Sequence, residues 1–259
     1  MNEPIVSSPE QPRPVSSLFN RLANIFAAPG EVYDEIKARP PAMANWLAPA
    51  LILVAVSWIA AWLIFSQDPI KQQMSDLQTQ AIQKQVEKGK LTKAQAEQAT
   101  ATIERFGSIG MKIGAMVGPA VGAFVAPFWW GLLLWLAGTK ALKGGFTFMK
   151  AVEVAGLASM IAVLDAIIRT LLIIAMGNLF ANSGPVLLVK DFDSSSTAHS
   201  ILATLNLMTF WGLTVKSVGL AKLSGASLGK AAIWVFGLWV VVTAAMIGIG
   251  VAARSVFGG

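Results

Sequence analysis

This sequence predicts an all-α polytopic membrane protein of five transmembrane helices, with N-terminal interfacial helices and an extramembrane helical hairpin. Three observations carry that expectation. First, 55% of the 259 residues are hydrophobic and only 13% are charged, about half of the roughly 25% usual in a soluble domain, and the mean hydropathy is +0.62. Second, a hydrocarbon layer about 30 Å thick is crossed by roughly 20 apolar helical residues, and five such runs are present, at 45–65, 111–138, 151–176, 199–221 and 231–251. Third, these runs are rich in Leu and Ala and do not alternate polar with apolar residues, as the strands of a membrane barrel must.

The elements follow in chain order. Residues 1–15 are polar and Pro-rich, without the basic start and apolar core of a cleavable signal, and read as a disordered tail. In residues 16–40, Ser16 or Ser17 is a helix cap. Leu18, Phe19, Leu22, Ile25 and Phe26 then share one face, and Pro29-Gly30 breaks the chain before a second helix at 31–38. This pair fits either the membrane surface or a cap packed on the ends of the spans. Residues 41–259 form the membrane domain, interrupted at 69–107 by the one sizeable polar region. There Gly89 separates two helical stretches, and Thr92-x-x-Gln95 is a capping box opening the second. A water-exposed hairpin is the ordinary reading, and a partner-binding one the alternative.

The second run places Gly110, Gly114, Gly118 and Gly122 at steps of four. Small residues at that spacing let helix backbones approach in lipid; the contact is expected within the chain more often than between subunits. Pro119 and Pro127 in the same run predict kinks or a re-entrant bend.

Four intramembrane charges are candidates for function or packing: Glu153, Asp165, Arg169 and Lys216. On an insertion scale Asp165 and Arg169 each cost about 3 kcal/mol, which about eleven Leu, Ile and Val residues of their span roughly offset. Being four apart, the two can pair, and Ala155, Ala158 and Ala162 share their face, which should point into protein. Lys216 lies about 9 Å from the near end of the fourth run, close enough to snorkel outward or to meet Glu153. His199, the one histidine, has no convergent ligands and reads as interfacial. Trp46, Trp129, Trp130, Trp211 and Trp234 include belt residues.

The net charge of +6 reflects orientation and implies no nucleic-acid partner. Arg13, Arg21, Lys37, Arg39, Lys140, Lys143, Lys150, Lys216, Lys222 and Lys230 fall on one side, against Lys190 and Arg254 once the hairpin is set aside. The expectation is a cell-membrane protein with its N-terminus cytoplasmic and its C-terminus outside. There is no cysteine, and so neither disulfide nor thiolate metal site. No nucleophile, acid–base constellation, cofactor motif or metal cluster stands out, and an enzyme is not expected.

Three segments carry a resemblance: IFAAPGEVYDEIKARPP before the first run, GGFTFMKAVEVAGLAS entering the third, and LNLMTFWGLTVKSVGLAKLSGASLGKA from the fourth into the fifth. In their order and spacing, over about Phe19 to Ala253, the chain resembles the bacterial branch of the Yip (Ypt-interacting protein) family. The resemblance implies a five-helix plan with a cytosolic N-terminus and no catalytic residue. Eukaryotic members are associated with small prenylated GTPases and membrane shaping, but their signature segments are not evident here, so GTPase binding does not carry over. The resemblance favours a non-enzymatic scaffold or accessory protein that organises lipid or a membrane-protein partner, with homo-oligomerisation open. The alternative is a component of a transporter or channel using the four charges, although no inverted repeat or pair of broken helices is apparent.

Overall fold

The computed structural model describes residues 16–189, 192–193 and 196–257; the expected tail over residues 1–15 and Lys190 lie outside them. Eleven α-helices are found among the described residues, and no strand. The first short helix, α1 (Leu18–Asn24), is capped by the Ser17 hydroxyl, which accepts from the Asn20 N–H. The second, α2 (Pro29–Lys37), begins at Pro29, so Pro29-Gly30 opens this helix where a break was expected. Proline suits a first helical position because the missing N–H has no intrahelical partner there.

These two helices cap the ends of the spans. Val32, Tyr33 and Ile36 are buried, the Tyr33 hydroxyl donates to the Val154 carbonyl at 3.2 Å, and burial pushes the Tyr33 phenol well above its ordinary range. Of the predicted apolar face of α1, Leu22 and Ile25 are buried, whereas Phe19 is exposed.

Among the described residues, four continuous stretches are long and apolar enough to cross a membrane. The first is α3 (Ala44–Ser66). The second comprises most of α6 (Ser108–Leu136) with a π-helical turn at Ala137–Ala141. The third joins α7 (Phe148–Ala158) to α8 (Met160–Met176) through Ser159. The last is α11 (Leu228–Phe257), up to Ala253. A fifth segment is bent by 53° between α9 (Thr197–Thr204) and α10 (Leu207–Ser224). The chain is thus an all-α polytopic membrane protein.

One expectation is corrected here, and of the two outcomes expected at Pro119 and Pro127 the re-entrant one is not found. The fourth run, read as one helix over 199–221, is two helices, and α6 continues through Pro119 and Pro127 without a re-entrant bend. The bend sits where Asn206 turns its amide onto the backbone, capping the Met208 N–H at 2.8 Å.

The polar insertion forms α4 (Asp68–Glu87) and α5 (Lys93–Thr102), turning through Gly89 at φ +68°. The Thr92–Gln95 capping box is formed in both directions. Beside Asp68, the Lys71 ammonium at 2.7 Å holds the carboxyl below its usual range. The base of α4 docks on the loop after α8: Ile70 is fully buried with Ile173 and Ala181, and the Gln73 side chain accepts from the Leu179 N–H at 2.9 Å.

The core is centred on α7, whose residues Lys150 to Ala158 are all buried. Neighbouring helices reach it at points where a side chain would not fit. A Cβ on Gly156 would collide with the backbone of Trp46 on α3, one on Gly131 of α6 with Val152, and one on Gly219 of α10 with Val154 and Tyr33. These close-approach glycines fall at no regular spacing, which is why the sequence does not announce them.

Candidate functional site

Three of the four candidate charges fall in two places, and Arg169 lies in neither. The first is a closed polar knot at the N-terminal end of α7. Glu153 is 1% exposed, and its carboxylate accepts from the Lys150 ammonium at 2.6 Å, the Asn45 side-chain amide at 2.6 Å and the Ala42 N–H at 2.8 Å. The Lys150 ammonium also donates to the Ile36 carbonyl at 2.5 Å, and Arg21 donates to the Asn45 Oδ1 at 2.7 Å. Together these contacts tie α1, α2 and the residues leading into α3 to one another and to α7. A buried pair with its remaining valences satisfied is a fastening device, costly to break from one side. The contact considered between Lys216 and Glu153 is not made, because Lys150, three residues before Glu153, already occupies that carboxylate.

The second place is a cleft of about 360 Å³ lined by α3, α6, α7, α8, α10 and α11, and it takes in both Asp165 and Lys216. Its floor is kept low by Ala155, Ala158 and Ala162 on one side and Gly212 on the other. Its flanks differ, since α6 packs on α3 and α7 whereas α11 packs on α10 and α9. Ala162 is exposed and Asp165 half-buried, so the cleft opens sideways.

Asp165 does not pair with Arg169. Among the described residues no ion pair within 4 Å joins them, and Arg169 is exposed on the outside of α8. The Asp165 Oδ1 instead accepts from the Asn206 Nδ2 at 3.1 Å. Asn206 is buried, and its Oδ1 accepts from the Ser183 hydroxyl at 2.7 Å and from the Met208 N–H. The carboxylate therefore lies at the N-terminus of α10, where the helix dipole favours negative charge. The expectation that the Asp165 face points into protein holds for Ala155 and Ala158, which are buried, and fails for Ala162 and Arg169.

Lys216 does not snorkel out. Its ammonium turns back along α10 to within 3.5 Å of the Gly212 carbonyl and stands 5.1 Å from the Trp130 ring, a cation–π arrangement. No carboxylate lies within 4 Å of it among the described residues.

The helix-packing glycines also differ from expectation. Gly110, Gly114, Gly118 and Gly122 are exposed, and a Cβ built on any of them would meet nothing within 4 Å. They pack on no other helix among the described residues, so the expected internal contact is corrected. His199 accepts from the Asp193 N–H at 2.9 Å and stacks on Phe192. No three His, Asp or Glu side chains converge on a possible metal site among the described residues.

Asn206 is the neighbour of these charges that the sequence reading does not single out, and Trp130, named there among the belt candidates, instead stands beside Lys216. The signal for Asn206 was present, as a lone amide inside an apolar run followed by a new helix.

A bundle of apolar helices with one sideways cleft and a buried polar fastening defines a multi-pass integral membrane protein of the α-helical class. Residues 23–249 match the Yip1 domain, and the chain belongs to that family. It is similar to "Membrane protein YknW" of Bacillus subtilis (strain 168), with 25% identity over 227 residues that cover 85% of this chain and 87% of that one. No solved structure matches it.

Proposed function

We propose that this protein is a non-enzymatic scaffold or accessory protein of the cell membrane that holds another membrane protein against the outer face of α6. The observation that carries this reading is the open glycine row of that helix. Each glycine within a helix costs about 1 kcal/mol relative to alanine, and nothing inside the chain gains from these four. Small residues at this spacing suit backbone approach by a neighbouring helix in lipid, and Ile113, Val117, Val121 and Val125 beside them are exposed. The N-terminus is cytoplasmic and the C-terminus outside in this proposal, in line with the basic side of the bundle. Cysteines introduced at Ser227 and Glu87 should then react with an impermeant maleimide from opposite sides.

The test of the surface is Gly114→Leu with Gly118→Leu in the full chain. The double variant should insert and melt as the unmodified protein does, yet lose the stoichiometric proteins that co-purify from native membranes in mild detergent. An unchanged set of co-purifying proteins would sink the proposal.

A second reading, a component of a transporter or channel, is favoured by the cleft with Asp165 and Lys216. It predicts that a well-folded double replacement of these two residues abolishes function while leaving every co-purifying protein in place.

A further inference from the structure

We infer that the sideways cleft between α6 and α11 is a binding site for a small zwitterion, taking an oxyanion at Lys216 and a primary ammonium at Asp165. The inference does not depend on the α6 surface and requires no transport.

The Lys216 ammonium meets only a carbonyl at 3.5 Å and an aromatic face at 5.1 Å. A cation in a low-dielectric setting is stabilised far more by an anion than by either, and the cleft beside it has room for one. At the other end, only the Oδ1 of Asp165 accepts a hydrogen bond from Asn206. A carboxylate has about four acceptor sites, so capacity remains for an incoming N–H donor.

The two charges are held apart by α10. Asp165 is fixed at the level of Asn206 and the Lys216 ammonium at the level of Gly212, which are about 9 Å apart along a helix. Two charge-assisted contacts of about 2.8 Å leave about 3.4 Å between the ligand's nitrogen and its acceptor oxygen. Ethanolamine phosphate, the headgroup of an aminophospholipid, provides that spacing, and so does a free α-amino acid. The sideways opening gives a lipid direct access. Single anions leave Asp165 unanswered, and a quaternary ammonium has no N–H to offer it.

The full chain, reconstituted in vesicles of equal phosphatidylethanolamine, phosphatidylcholine and phosphatidylglycerol, is re-extracted in detergent and its retained lipids are quantified by mass spectrometry. In parallel, its melting is followed with glycine or O-phosphoethanolamine. Retention of phosphatidylethanolamine over the other two by about tenfold, equivalent to about 1.4 kcal/mol, supports the site with a lipid as its source. A melting shift with glycine and no lipid preference supports it with a free solute as its source. Lys216→Gln and Asp165→Asn should abolish whichever effect is seen, while Arg169→Gln, outside the cleft, should not. If the first two do not fold, the headgroup preference of the unmodified chain decides. Equal retention of phosphatidylglycerol and phosphatidylethanolamine together with no melting shift overturns the inference.

Discussion

Glu153→Ala should be among the most damaging single substitutions in this protein, and its cost can be worked from the contacts it severs. The carboxylate holds three donors, from Lys150, Asn45 and Ala42, at 2.6 to 2.8 Å. Removing it leaves the Lys150 ammonium buried with only the Ile36 carbonyl. Stranding one member of a buried ion pair costs about 3 to 5 kcal/mol, so a loss of about 4 kcal/mol is expected. In a chain of this length that lowers the melting temperature by about 12 °C. Glu153→Gln keeps an acceptor for the Ala42 N–H and the Asn45 amide but turns its own NH2 toward the Lys150 ammonium, so the charge is still stranded and the cost should be nearly as large. Glu153→Gln combined with Lys150→Met removes both charges and should recover to within about 1 kcal/mol of the unmodified protein. Melting curves of the four purified proteins in one detergent provide the comparison. Limited proteolysis between α1 and α2 adds a local readout, since the knot is what fastens these helices to α7. A Glu153→Ala protein melting within about 3 °C of the unmodified one, or a double variant worse than either single change, would refute the reasoning.

Further outcomes follow from the same geometry. A double-mutant cycle between Asp165 and Asn206 should give a coupling of about 0.5 to 3 kcal/mol, whereas Arg169→Ala should change stability by less than about 0.5 kcal/mol, both read from melting. Replacing residues 78–104 by a flexible linker should leave the protein inserted and stable, but Ile70→Ala at the hairpin's base should cost about 3 kcal/mol, read by denaturation of the full chain. Tyr33 is the one tyrosine, and its raised pKa keeps the folded phenol protonated while an unfolded one ionises near pH 10. Its contribution is complete below pH 10 and is lost as pH rises above it; tyrosinate absorbance should therefore appear together with alkaline unfolding.

The parts of this fold that the sequence made legible are those set by local rules. Hydrocarbon thickness fixes the length of an apolar run, and the ends of the observed spans lie within three residues of the expected ones. Ser17 and Thr92–Gln95 cap their helices because capping involves only neighbours in sequence. What could not be read depends on distant partners. Asp165 has Arg169 one turn away, yet its hydrogen-bond partner lies 41 residues downstream. Lys216 is near enough to the end of its run to be a candidate partner for Glu153, but the nearer Lys150 takes the carboxylate. The glycine row signals backbone approach without saying to what, while glycines that do meet another helix, such as Gly131, Gly156 and Gly219, form no pattern. The bend at Asn206 has neither Pro nor Gly to mark it.

The polar knot has a temporal side. Every group that satisfies Glu153 and Lys150 from outside α7, namely the Ile36 carbonyl, the Ala42 N–H and the Asn45 amide, precedes them in the chain. Synthesis proceeds from the N-terminus, so these partners already exist when α7 enters the bilayer, and the charged pair need never face lipid alone. Asp165 is in the opposite position, since its donor is made later. A chain stopped after Met176 should accordingly fasten its N-terminal helices to α7 and resist protease between α1 and α2 as the complete protein does, with Asp165 still unanchored. The first half of this span is settled by what came before it, and the second half waits for α10.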